Sequence, residues 1–91
     1  MLFMYIHTHT VEHCIVEKPQ ESMKLANRLQ EEFKKADIKS TATYLAAHQH
    51  TMYFVLEAND ILALEKALTP MTAWGNGQLI PITTMQQWMP K

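Results

Sequence analysis

Glycine is nearly missing from this chain. Only Gly75 and Gly77 occur, two residues apart, so no Gly-rich loop is available to wrap a phosphate. Cysteine is reduced to Cys14, which excludes an internal disulfide and suits a reducing compartment. Neither sign of charge dominates. Eight Lys and Arg against nine Asp and Glu leave a net charge of −1, whereas a nucleic-acid partner calls for a clear basic excess. Lys24, Arg28, Lys34, Lys35 and Lys39 are interleaved with Glu21, Glu31, Glu32 and Asp37, the pattern of a solvated helix face. Long hydrophobic runs are also lacking. The opening MLFMYI lacks a basic start and ends after six residues, so it reads as neither signal peptide nor membrane span, and the cytoplasm is the expected location. No paired carboxylates and no nucleophile–base pair stand out.

What is present is a regular alternation of element types over a single domain, residues 1–91. LFMYIHTH (2–9) is rich in β-formers and reads as strand β1. Pro19 opens a helix, α1, over 19–36, in which Met23, Ala26, Leu29, Phe33 and Ala36 recur at helical spacing. TATYLAA (41–47) and TMYFVLE (51–57) read as β2 and β3. Asn59 is the expected N-cap of helix α2, which places Ile61, Leu64 and Leu68 on one face and stops at Pro70. Gly75 and Gly77 then punctuate a loop before β4, QLIPITTM (78–85), which Pro81 restricts to a sheet edge.

The order β-α-β-β-α-β is the α+β, ferredoxin-like arrangement: a four-stranded antiparallel sheet, order 4-1-3-2, with two helices on one face. That topology brings together the chain's two histidine knots, HTHTVEHC (7–14) and AHQH (47–50), because the end of β1 lies beside the start of β3. Residues two apart on a strand share a face. Met52, Phe54 and Leu56 are expected against the helices. Phe3, Tyr5, His7 and His9 are expected on the opposite, open face with Tyr44, His48 and Tyr53. So apolar a face calls for cover by a second copy, and a sheet-to-sheet homodimer is expected.

The start MLF and the run YLAAHQHTMYFVLEANDILALEKALTPM resemble the small dimeric α+β-barrel proteins, the muconolactone isomerase-like kind among them. The shared pattern is a β2–β3 hairpin with an A-x-H turn, an aromatic β3, and a polar cap before a helix ending at proline. The resemblance implies sheet-to-sheet pairing and a pocket bounded by the sheet. Members of that superfamily include isomerases, haem-dependent enzymes and cofactor-free monooxygenases, so the fold selects no chemistry. HTHTVEHC lies outside the resemblance.

Two chemistries compete for the histidines. A transition-metal ion (Zn, Cu, Ni or Fe) is one, since an H-x-H strand pair points one way and a hairpin histidine adds a third imidazole. His7, His9 and His48 are the first candidate ligands, with His13, His50 and Cys14 behind them and Glu12 as ligand or outer acceptor. The other is a metal-free isomerase or monooxygenase, in which one pocket histidine serves as acid or base and Phe3, Tyr5, Tyr44 and Tyr53 line the pocket. Haem on a single axial histidine is a third option, though it needs fewer histidines than the chain gathers. The bland alternative is that the knots are polar residues at two wet edges, with Cys14 a small buried thiol. Methionines and Trp88 read as packing residues.

Overall fold

In the computed structural model, residues 1–10 and 18–90 are described. The elements run β1 (Leu2–His9), α1 (Pro19–Lys35), β2 (Lys39–Ala46), a 3-10 turn (Ala47–Gln49), β3 (Thr51–Glu57), α2 (Ile61–Ala67), a second 3-10 turn (Thr69–Ala73), β4 (Gly75–Ile82) and α3 (Met85–Trp88). The architecture is α+β with one four-stranded antiparallel sheet and three helices. The strands lie in the order β2-β3-β1-β4; from the other edge this is 4-1-3-2. Among the described residues no helix is long and apolar enough to cross a membrane.

Local chemistry accounts for the helix boundaries. Pro19 supplies a preset φ at the first position of α1, Glu21 lies in its first turn and Lys34 and Lys35 in its last, matching the helix dipole. Helix α2 is capped by Asp60, whose carboxylate accepts from the Leu62 N–H at 3.0 Å, one residue later than the expected cap at Asn59. Strand β4 corrects the sequence reading more substantially. It begins at Gly75 and ends at Ile82, so both glycines are strand residues rather than a loop, and Thr84 already caps α3.

Register decides which side chains meet the helices. Phe3 pairs with Leu56, Tyr5 with Phe54 and His7 with Met52. Directly paired residues share a face, and Phe54 and Leu56 pack in the core with Leu29, Phe33, Leu64 and Met71 from the helical side. Phe3, Tyr5, His7 and His9 therefore point toward the helices, not onto the open face as expected; Phe3 and His7 are essentially fully buried. In LFMYI both alternating sets are apolar, so the strand carries no contrast from which to read its faces. The open face instead presents Leu2, Met4 and Ile6 beside Tyr53 and Val55, with Tyr44 and Ile80 on the flanking strands. Tyr44 and Ile80 are exposed and the others half-buried. The expected pocket of Phe3, Tyr5, Tyr44 and Tyr53 is thus split: the first two lie under the helices, the last two on the opposite side.

Candidate functional site

The helix-facing row of β1 changes character along its length, from Phe3 through Tyr5 to His7 and His9. Its last two members are imidazoles buried almost as completely as the core, with His7 1% and His9 4% exposed. The hairpin adds a third. His50 takes the left-handed conformation (φ 52°) after the 3-10 turn, with its N–H donating to the Ala47 carbonyl at 3.2 Å. The His9 N–H donates to the His50 carbonyl at 2.9 Å, which ties the turn to the end of β1. Thr51 steadies the same corner by donating its hydroxyl to the Gln49 carbonyl at 2.9 Å.

The rings form a file with a crosspiece. Tyr5 and His7 stand 5.9 Å apart between ring centres and 28° from parallel, and His7 and His9 stand 6.4 Å apart at 26°. His50 meets His9 nearly edge-on, at 5.3 Å and 82°. The Tyr5 hydroxyl and His7 Nδ1 are 3.3 Å apart, within hydrogen-bond reach. In the neutral ring either the phenol O–H donates to Nδ1 or Nδ1–H donates to the phenol oxygen, and the choice sets what Nε2 carries. Among the described residues, His7 Nε2 and His50 Nδ1 are buried without a hydrogen-bond partner.

The two glycines explain how the file fits. Gly77 lies opposite His7 and Gly75 opposite His9 across the β1–β4 ladder. A methyl group on Gly77 would overlap the Tyr5 phenol ring, and one on Gly75 would overlap the Thr8 carbonyl and the His9 Cα. Both positions need a close approach that any Cβ would block, the usual reason for glycine inside a strand. Sequence reasoning missed this role, and also missed Tyr5 as the partner of His7. The signal was two glycines spaced like the H-x-H pair, which becomes informative once the strands are set in register.

Electrostatics suit a neutral ring. Burial, and secondarily the charge of His9, lower the pKa of His7 from 6.5 to about 4. Burial also raises that of Tyr5, so the phenol keeps its proton. With a pKa so low, His7 is a weak base at neutral pH but a ready lone-pair donor.

Of the sequence candidates, His7, His9 and His50 come together. His48 is exposed on the 3-10 turn. Glu12, His13 and Cys14 lie outside the described residues. Among the described residues, no group of three or more His, Cys, Asp and Glu side chains stands close enough to hold an ion as placed. A zinc-bound imidazole nitrogen lies about 2.1 Å from its ion, so two imidazoles on one tetrahedral ion have ring centres roughly 5 Å apart. His9 and His50 meet that spacing. His7 does not without turning its ring.

The match to a protein-family model runs over residues 1–91 and its description reads "Domain of unknown function (DUF3303)". The chain belongs to that family. Membership covers the whole fold, histidine file included, and brings no activity with it. Comparison with curated proteins returns no match.

Proposed function

We propose that this domain binds a transition-metal ion through His7, His9 and His50, at the corner between the end of β1 and the β2–β3 hairpin. The observation carrying the reading is the pair of buried, unpartnered imidazole nitrogens, His7 Nε2 and His50 Nδ1, beside His9. A buried polar atom left unmatched costs about 1–3 kcal/mol, and a coordinated cation is one partner that would satisfy two at once. The low pKa of His7 favours the same reading over acid–base catalysis, because a base of pKa about 4 accepts few protons at neutrality. Bound at Nε2, His7 would carry its proton on Nδ1 and donate it to the Tyr5 oxygen, the kind of outer hydrogen bond that orients a ligating histidine. Zinc, copper, nickel and iron all accept imidazole, and the donor set does not choose among them.

The second part of the proposal is a homodimer. The open face carries an apolar band from Tyr44 across Tyr53, Met4 and Ile6 to Ile80, bordered by Glu57 and Lys39 toward one end and by Gln78 and Asn76 on β4. A contiguous apolar patch of that breadth is unusual on a monomer, and a second copy of the same face would cover it.

Elemental analysis of tag-free protein tests the metal. About one ion per chain is expected, lost in His9→Ala and His50→Ala and retained in His48→Ala. Full metal content in His9→Ala and His50→Ala would refute the site.

A further inference from the structure

Apart from the histidine corner, a second departure from close packing lies beneath α1. Leu29 and Phe33 on its inner face are buried, but Ala26 and Met23, about one and two turns earlier, are exposed. The sheet beneath explains why. At helix-facing positions β2 carries Ser40 and Thr43, paired with Leu56 and Phe54, where a filled core would place large apolar side chains. Short hydroxyl side chains below and an alanine above leave a cavity of about 440 Å³ between helix and sheet.

We infer that this cavity is a binding site for a small, neutral, mostly apolar organic molecule carrying one hydrogen-bonding oxygen. Size is the first ground. Ligand pockets run from roughly 300 to 1,000 Å³, so this one takes a compact molecule on the order of fifteen heavy atoms. The walls are the second. Leu25, Leu29, Phe33, Met52, Phe54 and Met71 supply apolar surface, and among the described residues no ionisable side chain lines the space. A charged ligand would lose its hydration there with no opposite charge to meet it. The third ground is the polar edge. The Ser40 and Thr43 hydroxyls lie 3.3 Å from each other on one wall, able to donate to a carbonyl or accept from a hydroxyl. Met52 and Met71 contribute unbranched side chains that adapt to a ligand's outline. Met52 is also the register partner of His7, so the cavity wall and the histidine file are neighbours on one face. The site stands on its own walls and does not require the metal.

The test is titration of the full chain, in EDTA, with the neutral naphthalene ketone prodan, whose emission shifts to the blue in apolar surroundings. Saturation at one probe per chain with a blue shift is expected. Ala26→Trp fills the space from the helix side and should weaken uptake at least tenfold, and Thr43→Leu should do the same from the sheet side if the first variant folds poorly. Tyr44→Glu, on the opposite face, should leave uptake unchanged. No uptake, or uptake that survives both filling variants and disappears in Tyr44→Glu, would place the probe on the open face and overturn the inference. Because chelator is present throughout, failure here leaves the metal reading untouched, and the reverse holds too.

Discussion

Acidification should destabilise the metal-free domain through His7 in a defined window. The folded ring holds its proton only below about pH 4, whereas the unfolded chain takes one up near the ordinary value of 6.5. Between these values the unfolded state binds the extra proton, so stability falls as pH falls. Above 6.5 the contribution of this group is fully present; below 4 both states are protonated and the loss levels off. The 2.5-unit gap between those values corresponds to about 3 kcal/mol in all, of which roughly 1 kcal/mol is lost by pH 5.5. A domain of this size has a total stability of about 5–10 kcal/mol, so the effect should be plain in urea denaturation at a series of pH values in EDTA. The informative comparison is His7→Gln, which keeps a polar side chain of similar reach but cannot titrate. Its stability should vary less with pH than that of the natural chain by about that same amount. Parallel curves for the two proteins would refute the assignment of a buried, neutral imidazole at position 7.

Three further outcomes follow from packing. Gly77→Ala sets a methyl group against the Tyr5 ring and should cost about 1–3 kcal/mol in denaturant unfolding, with most of it recovered when Tyr5→Leu is added. Leu64→Ala empties a fully buried site of α2 and should cost about 2–5 kcal/mol at an unchanged denaturant slope; a smaller loss would mean that α2 packs loosely. Ile6→Glu puts a charge at the centre of the open face and should convert a dimer to a monomer in analytical ultracentrifugation, whereas a natural chain that sediments as a monomer at high concentration would remove the homodimer from the proposal.

The element order was legible because the signals are local: β-formers in β1 and β3, Pro19 at the head of α1, Pro70 after α2. Positions governed by tertiary contact were not. Gly75 and Gly77 look like a loop when glycine is weighed as a breaker, and only the approach of β1 reveals them as strand residues. The meeting of His9 with His50 follows from the topology, but the side of the sheet on which it occurs does not. Strand parity groups His7 and His9 with Phe3 and Tyr5 but does not say which face that set takes, and the ladder to Met52 turns it toward the helices rather than onto the open face. The choice between His48 and His50 rests on a 3-10 turn and a left-handed residue, neither of which the motif AHQH announces.

Stability and the histidine corner pull in opposite directions, and that opposition is informative. Gly75 and Gly77 are poor strand residues, each weakening β4 by lost packing and by backbone entropy. His7 and His50 bury ring nitrogens that the described residues leave unmatched. A sequence shaped for folding alone would continue the row Phe3–Tyr5 with apolar side chains and oppose it with valine or isoleucine, as most strands buried beneath helices do. The domain does the reverse at one end of one strand pair while packing Phe3, Leu56, Leu64 and Met71 fully elsewhere. Such concentrated departures from good packing mark functional sites more often than defects. Here they fall in one arrangement: glycine makes room for Tyr5, Tyr5 meets one nitrogen of His7, and the other nitrogen lies buried near His9 and His50 with no hydrogen-bond partner among the described residues, which is the observation that the metal proposal rests on.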